Sequence, residues 1–474
     1  MLYFNLTGKN KQIQIQGDLK SISLIREKFS MANPAYRKNV PFMQPRLYCI
    51  TPGGKFDIGL LRDVLEFVEL NHYEFELDAN VKKEFNPGFS NPKIKTLNLN
   101  LRDYQEKSVI SAIQQGRGVT LIPTAGGKTL ICATLIESLR ENLNDSEALV
   151  LVTVPSLQLV EQTANDFISY GLKNVTKWSG NNKPDSNATI IVAGTQILLS
   201  ESTDLSKLVD VKILLMDEAH SLRRGNKLNK ILNFIDTPYK FGFTGTMPSS
   251  EIDQWNIIGK LGPVTYEQKT DDLKKQTYVS NFKVIILNIK HESLPVVRVS
   301  SETPALAYQQ ELEFLMQHNR RNSIISNLAN KLNQNTLVMV DRIIHGESIE
   351  RALKGICDSD RPIYFIRGST DIEDRENIRS LMNDRSDVIV VAVSKIFSTG
   401  INIPNLHNII FASAGKAKIK IMQSIGRALR LHPTKTMATI FDIADNTKYG
   451  KIHLVERKKL YTLEKYEYTE KELS

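Results

Sequence analysis

The sequence predicts an α/β protein: a small α+β domain followed by two consecutive domains, each built around a parallel sheet. From about residue 118 to residue 245, short β-rich runs alternate with helical patterns, which is typical of a parallel sheet covered by helices on both faces. The alternation restarts after the charged segment YEQKTDDLKKQT, and the Pro- and Asn-rich segment NPGFSNPKIK, a candidate linker, precedes the first sheet. The predicted domains are 1–90, 91–276 and 277–446, followed by a helical C-terminal tail, 447–474.

The individual elements follow from local patterns. Near the start, YFNLTGKNKQIQIQG predicts a β-hairpin, and IGLLRDVLEFVELNHY has apolar residues at helical spacing. The strands predicted for the first parallel sheet are GVTLIP, ALVLVTVP, TIIVAGT, VKILLMDEAH and YKFGFTGT. Those predicted for the second are FKVIILNI, NTLVMV, PIYFIRG, DVIVVAVS, NIIFAS and ATIFDIAD.

Composition limits the class of protein. The chain has 474 residues, enough for about three domains, and a formal charge of +9, which suits a polyanionic partner such as nucleic acid. Cys49, Cys132 and Cys357 are too far apart for a disulfide framework or a local zinc site. Neither a signal peptide nor an apolar run of about 20 residues is present, so we expect a cytoplasmic protein without a membrane partner. For a phage-encoded chain this means the host cytoplasm.

The basic excess is concentrated at the start. Through Lys55 there are nine Lys and Arg residues, opposed only by Asp18 and Glu27. A contiguous basic stretch is better support for phosphate contact than a total charge. This basic stretch therefore favours a polyanionic partner, and the alternative is a solvated basic face.

The stretch LIPTAGGKTL predicts a phosphate-binding loop between a buried strand and a helix. Loop N–H groups and the helix N-terminus favour anionic oxygens. Lys128 would neutralise the β- and γ-phosphates of ATP, and the Thr129 hydroxyl would bind Mg²⁺. Ile122 stands where such loops usually begin with Gly or Ala, and the alternative is an ordinary strand–turn–helix with a solvated lysine. The predicted loop residues are Pro123, Thr124, Ala125, Gly126, Gly127, Lys128 and Thr129.

The stretch ILLMDEAH places two acids after four apolar residues, at the end of a predicted central strand. Ligands of open α/β sheets bind at this end. Asp217 would hold Mg²⁺ through water, and Glu218 would orient or deprotonate the attacking water. The alternative is a strand followed by an acidic helix cap. Together with the upstream phosphate loop, these acids predict a nucleotide hydrolase.

Hydrolysis needs a further cation, because charge develops on the transferred phosphoryl group. Arg427 and Arg430, in QSIGRALR, are three apart on a predicted helix and so lie on one face. They belong to the second parallel-sheet domain. If they complete the site, ATP lies between two domains and hydrolysis is coupled to their closure; otherwise they cap a helix dipole.

Eight segments in order, LRDYQ, PTAGGKT, VPSLQLVEQ, AGTQ, MDEAH, TGT, STGINIPNL and QSIGRALR, resemble the motifs of superfamily 2 helicases. The N-terminal domain joined to LRDYQ is most similar to phage branch-migration helicases of the UvsW type. The resemblance implies two tandem RecA-like domains. It also implies functional residues. Adenine would be contacted by Arg102, Tyr104 and Gln105, the γ-phosphate by Gln423, and the ATP state would be linked to DNA grip by Thr244, Gly245 and Thr246. The DNA backbone would be contacted by Ser156, Thr195, Gln196, Ser398, Thr399 and Gly400.

The resemblance implies an ATP-dependent DNA helicase acting on branched or forked DNA in repair, recombination or replication. Three alternatives remain open at this point. One is an RNA helicase or a duplex translocase, and another is an ATP-gated nucleic-acid-binding module without productive unwinding. The third is a metal-dependent nuclease, which would need clustered acids outside the ATP site.

Overall fold

The structure is a computed structural model, and the chain divides into two compact units. The first comprises Met1–Ile122 with Gly127–Gln268, and the second contains Lys269–Ser474. The described residues are 1–8, 11–38, 40, 43–123, 126–180, 183–275, 281–292, 304–394, 403, 405–413, 437–463 and 465–473.

The N-terminal domain is a four-stranded mixed sheet packed against helices. The predicted hairpin is confirmed, since the first two strands pair antiparallel from Tyr3↔Gln16 to Thr7↔Gln12. Alternate residues of the first strand face the core, where Phe4 is fully buried. The sheet order is β5–β2–β1–β6. The elements are β1 (Leu2–Thr7), β2 (Gln12–Gln16), α1 (Leu19–Lys28), β3 (Ser30–Ala32), β4 (Arg46–Tyr48), β5 (Lys55–Asp57), α2 (Leu61–Leu70), β6 (Phe75–Leu77) and α3 (Ala79–Phe85).

The candidate linker is packed along the first parallel-sheet domain. Its Phe89 ring stacks on Tyr239, with ring centroids 6.4 Å apart. The Lys95 amide donates to Ser138 Oγ at 2.9 Å, and a Cβ on Gly88 would lie 2.0 Å from the Gln114 carbonyl oxygen. This segment is therefore a strap held by backbone and side-chain contacts.

The first parallel sheet has seven strands in the order β13–β7–β12–β11–β8–β10–β9, and every pairing is parallel. Its central strands are buried on both faces, as their continuous apolar runs predict. The elements are α4 (Asp103–Gln115), β7 (Gly118–Leu121), α5 (Lys128–Leu143), β8 (Val150–Val154), α6 (Leu157–Ser169), β9 (Val175–Trp178), β10 (Ile190–Gly194), α7 (Thr195–Leu198), β11 (Ile213–Asp217), α8 (Leu228–Phe234), β12 (Tyr239–Thr244), α9 (Glu251–Leu261) and β13 (Val264–Glu267).

The second unit contains another seven-stranded parallel sheet, which confirms the predicted α/β class with two tandem RecA-like domains. Its order is β16–β17–β15–β18–β19–β14–β20. The elements are α10 (Thr270–Lys275), β14 (Asn281–Ile289), α11 (Pro304–Gln317), α12 (Asn319–Lys331), β15 (Thr336–Val340), α13 (Ile343–Ile356), β16 (Ile363–Ile366), α14 (Ile372–Asp384), β17 (Ile389–Val393), β18 (Asn408–Phe411), β19 (Met437–Asp445), α15 (Lys448–Leu463) and β20 (Tyr468–Leu473).

The prediction of a wholly helical C-terminal tail is wrong. After α15 the chain turns and adds β20 to the sheet, parallel to β14 from Val284↔Tyr468 to Ile289↔Leu473. Lys290 and Lys458 form ion pairs with Glu472 and Glu470 on this edge strand. The strand is stabilised by pairing with β14, and the local charge pattern carries no sign of that partner.

Among the helices described, not one combines the length and the apolar character that a bilayer-spanning segment requires.

Candidate active site

The predicted functional loops that follow strands of the first parallel sheet leave the same edge of that sheet. The phosphate loop follows β7, TGT lies at the end of β12, and the two acids lie at the end of β11. The loops that contain Ser156 and Thr195 follow β8 and β10, which are the next two strands across the sheet. The carboxyl edge therefore has a nucleotide side and, beside it, a side with exposed polar loops.

The phosphate loop requires glycine at position 127 for two reasons. Gly127 precedes the first residue of α5 and has φ +73°, in the left-handed region. A Cβ at this position would also lie 2.4 Å from Gln105 Nε2. The loop and the predicted adenine-binding segment are therefore in direct contact. Thr124 and Ala125 lie outside the described residues.

Gln105 also fixes the start of α4. Its Oε1 accepts a hydrogen bond from the Arg102 amide at 2.9 Å, and Arg102 Nη1 lies 3.4 Å from the Tyr104 hydroxyl. The three residues predicted to meet the base are thus brought together. Their contact with adenine stays a prediction.

Lys128 is paired with one of the two predicted acids. Its Nζ lies 3.3 Å from Glu218 Oε1, and both side chains are largely buried. Burial lowers the pKa of Lys128, but the carboxylates of Glu218 and Asp217 more than offset this effect and raise it above its ordinary value. Lys128 is therefore a permanent cation at the centre of the site.

The two acids differ in their ionisation. Burial and then the charge of Glu218 raise the pKa of Asp217 to about 6. Burial also raises the pKa of Glu218, but Lys128 and His220 outweigh that effect and lower it to about 2. Asp217 is a buried carboxyl whose ionisation is disfavoured by the negative charge of Glu218. A divalent cation bound beside it would favour the ionised form, so Asp217 suits a Mg²⁺ ligand.

The backbone is strained at this point. Glu218 has φ +52°, and its amide donates to Asp217 Oδ1 at 2.9 Å. A non-glycine residue in the left-handed region costs of order 1–3 kcal/mol and is found mostly at functional sites. Across the described ranges, no group of three or more His, Cys, Asp and Glu side chains is placed to hold a metal ion.

His220 belongs to the site although sequence reasoning gave it no role. Its Nδ1 lies 3.1 Å from Glu218 Oε2 and 2.9 Å from Thr244 Oγ1. The Thr244 hydroxyl in turn donates to the Thr246 carbonyl oxygen at 3.1 Å. The signal was available in the last letter of MDEAH, which places a hydrogen-bonding ring two residues after Glu218. This chain joins the acid of β11 to the TGT segment of β12.

Two family models match the chain, and the first of them contains this site. Residues 98–249 match the res subunit of type III restriction enzymes, and residues 319–432 match the helicase conserved C-terminal domain. The chain is a superfamily 2 helicase. The first match contains the phosphate loop and both acids, and the second contains the segment QSIGRALR.

Two relatives are similar to this chain over most of its length. The helicase is 26% identical over 499 aligned positions to the ATP-dependent DNA helicase uvsW of Enterobacteria phage T4, with 97% of each chain covered. It is 20% identical to the DNA 3'-5' translocase XPB2 of Sulfurisphaera tokodaii, covering 77% of this chain and 86% of that relative. A solved structure of S. cerevisiae Dbp5 bound to RNA and ADP BeF3 covers 78% of this chain and 89% of its own, with 14% identity and a TM-score of 0.55. The last match shows the fold alone.

The polar loops that follow β8 and β10, at the carboxyl edge of the first parallel sheet, contain three of the residues predicted to contact DNA. Ser156 caps α6, where its Oγ accepts from the Leu159 amide at 3.3 Å. Thr195 and the exposed Gln196 open α7, and the pairing Val154↔Gly194 sets the two loops side by side. The other predicted contact and catalytic residues lie outside the described residues: Ser398, Thr399, Gly400, Gln423, Arg427 and Arg430.

Proposed function

We propose that this superfamily 2 helicase is an ATP-driven motor that remodels branched DNA, by branch migration and by unwinding forks or D-loops, in repair, recombination or replication. One observation carries the proposal: the nucleotide loops and the predicted DNA-contacting loops follow adjacent strands at one edge of one sheet. The names of two relatives, a DNA helicase and a DNA translocase, favour DNA as the polynucleotide. Such a motor works where DNA is, and we assign it to the cytoplasm.

Binding of ATP changes the partner of Lys128. The ammonium that pairs with Glu218 would instead neutralise the β- and γ-phosphates, which leaves the Glu218 carboxylate to orient the attacking water. Asp217 and Thr129 would hold Mg²⁺, which supplies charge neutralisation at the phosphates. With Lys128 and His220 beside it, the pKa of Glu218 is lowered to about 2, so its carboxylate is already ionised before ATP binds.

His220 would transmit the loss of the Lys128 contact at Glu218 to the TGT segment. The ring contacts both the Glu218 carboxylate and the Thr244 hydroxyl, so a movement of the carboxylate alters the hydrogen bonds of TGT. Thr244 is completely buried and has no freedom to adopt another position without moving its own segment. We assign Thr244, Gly245 and Thr246 the coupling of nucleotide state to DNA grip.

The second RecA-like domain contributes groups predicted from sequence. Gln423 would contact the γ-phosphate, and Arg427 and Arg430 would stabilise the charge of the transferred phosphoryl group. On the DNA, Ser156, Thr195 and Gln196 together with the Ser398–Gly400 segment would donate hydrogen bonds to backbone phosphates. Contacts of this kind fix position without reading sequence, which suits a translocating motor.

The N-terminal domain would recognise the DNA structure. Lys20, Arg37 and Lys38 are exposed there, and exposed cations bind phosphates. Two other basic residues of this region are already paired: Arg46 with Glu27 at 2.8 Å, and Lys11 with the carboxylates of Glu84 and Asp236. Fewer basic side chains of this domain would therefore contact phosphate than the basic sequence suggests.

A strand-separation assay tests this function. Labelled four-way junction, fork, linear duplex and RNA duplex are incubated with the full chain and either ATP or a non-hydrolysable analogue, with Lys128→Ala as the control variant. We expect ATP-dependent conversion of the junction and the fork, and none with the analogue or the variant. Preferred unwinding of the RNA duplex, or binding without any strand separation, would contradict the proposal.

A further inference from the structure

We infer that Asp57 and Gly59 are positioning residues that couple DNA engagement by the N-terminal domain to ATP turnover, through helix α9. The inference deepens the proposed function and rests on it. It is carried by the three sets of contacts that α9 makes within the first compact unit.

The first set joins the backbone of α9 to the N-terminal domain. A Cβ on Gly59 would lie 1.9 Å from the Ile258 carbonyl oxygen and 2.8 Å from that of Gly259. A Cβ on Gly259 would lie 3.1 Å from Asp57 Cβ. Two main chains therefore meet directly, with glycine on both sides, and such a contact has almost no freedom to slide.

Side chains reinforce this contact along the helix. Lys260 Nζ lies 2.8 Å from Asp57 Oδ1 and 2.8 Å from Asn233 Oδ1, so the lysine joins both domains. One turn earlier, Trp255 packs edge-on against Phe29, with ring centroids 5.6 Å apart. Trp255 and Ile258 are packed against the core of the N-terminal domain, although they belong to the motor in sequence.

The second set joins α9 to the segment that follows the acids of β11. The Arg224 amide donates to Asp253 Oδ1 at 3.0 Å, and Asn256 Nδ2 donates to the Leu222 carbonyl oxygen at 3.0 Å. Leu222 is two residues after His220. These hydrogen bonds hold α9 against the segment that begins two residues after His220, the residue whose ring contacts Glu218.

The third set lies at the start of the helix. The chain passes from Thr244 at the end of β12 to Glu251 at the start of α9 within a short loop. Gln254 Nε2 donates to the Pro248 carbonyl oxygen at 2.7 Å, which ties that loop to the first turn of the helix. A movement of Thr244 is therefore communicated to α9 by covalent connection and by this hydrogen bond.

These contacts make α9 one body shared by the nucleotide site and the N-terminal domain. A ligand that favours one position of the domain must then favour one arrangement of the Glu218–His220–Thr244 chain. If a flexible linker alone joined the N-terminal domain to the nucleotide site, the position of the domain would have no effect on that site. Asp57 and Gly59 act on the reaction only through α9, since neither reaches the nucleotide loops.

Gly59→Ala tests the inference, and Gly53→Ala is its matched control in the same domain. An added Cβ at Gly53, which is exposed, meets nothing within 4 Å, and neither glycine has a left-handed backbone, so only Gly59→Ala places a Cβ against α9. ATP turnover of each full-length protein is measured without DNA and with a saturating four-way junction. Junction affinity is measured by fluorescence anisotropy, and folding by thermal unfolding.

For Gly59→Ala we expect basal turnover and junction affinity to stay near those of Gly53→Ala. The ratio of stimulated to basal kcat should fall by about fivefold or more, the lower end for an allosteric coupling. Equal stimulation in both variants would overturn the inference alone, and so would an equal loss of basal and stimulated turnover, which marks a merely structural role. Wild-type protein without junction stimulation would contradict the proposed function and the inference with it.

The ion pair provides an independent variant if Gly59→Ala does not fold. Asp57→Asn removes the charge that faces Lys260 and should reduce the stimulation ratio, whereas Asp57→Glu keeps the charge and should restore most of it. Stimulation unchanged in Asp57→Asn would overturn the role of this residue.

Discussion

Lys128 Nζ lies 3.3 Å from Glu218 Oε1, so the cation predicted to bind phosphate and the carboxylate predicted to act on water form one buried ion pair. Removing one partner of such a pair leaves the other buried without compensation, which is costly. The two residues therefore set each other's ionisation before any substrate binds.

Lys128→Ala should abolish ATP turnover while the fold is retained. The variant loses the cation for the phosphates, and Glu218 loses the charge that most strongly lowers its pKa against burial. Turnover is measured by phosphate release and folding by circular dichroism. Lys212→Ala is the control, because that side chain is exposed and pairs with Asp145 on the same domain. Normal turnover in Lys128→Ala would refute the phosphate-loop assignment.

Thr244→Val should separate ATP turnover from DNA remodelling. Valine keeps the volume of this fully buried side chain but removes the hydroxyl that contacts His220 and the Thr246 carbonyl oxygen. We expect strand separation to fall by about tenfold or more, a loss of about 1.4 kcal/mol or more, with a smaller change in basal turnover. Thr244→Ser keeps the hydroxyl and should remain close to wild type. Equal loss in both assays would argue that Thr244 serves hydrolysis only.

All eleven strands predicted for the two parallel sheets are present. Ten of them are internal, where buried strands carry continuous apolar runs, and the eleventh, β16, is an edge strand with the apolar sequence IYFI. The strands missed are β9, β13 and β20, whose sequences are VTKW, VTYE and YTEKEL. Each lies at a sheet edge, pairs on one side only and needs no such run. Their formation depends on a distant partner strand, which no local pattern contains.

The site was predictable in its residue types but not in its connections. Strand ends and Gly-Lys-Thr locate the loops, whereas the Lys128–Glu218 pair and the His220–Thr244 contact are tertiary distances. The contact of Gly59 with α9 was equally hidden, since a glycine outside a turn has no distinctive pattern. Sequence periodicity reports burial of side chains, and this interface is made largely by main chain.

Arg427→Ala and Arg430→Ala should each lower kcat and leave nucleotide binding largely intact. An arginine that acts on the transition state contributes about 10³-fold or more to the rate of phosphoryl transfer. Steady-state turnover gives kcat, and a fluorescent nucleotide analogue gives the affinity. An unchanged rate in both variants would remove these arginines from the catalytic site.

His345 should make the second unit less stable in mild acid. The side chain is buried, with Nε2 3.1 Å from Asn322 Oδ1 and Nδ1 3.0 Å from Ser413 Oγ. Burial, and then the charge of Arg321, lowers the pKa of His345 to about 3. The folded state therefore keeps the ring neutral while the unfolded chain takes up a proton below about 6.5. The stabilisation is complete above that pH and is lost as the pH falls towards 3.

The pH dependence of unfolding isolates this group. Between pH 6.5 and pH 4.5 the free energy of unfolding should fall in wild type relative to His345→Gln, by at most about 1.4 kcal/mol per pH unit. Glutamine does not titrate, yet it can donate to Asn322 and accept from Ser413. Asp445 has its pKa lowered to about 2, so its contribution is lost only at lower pH and does not enter this window. Parallel curves for wild type and His345→Gln would mean that the ring is protonated in the folded protein as readily as in the unfolded chain.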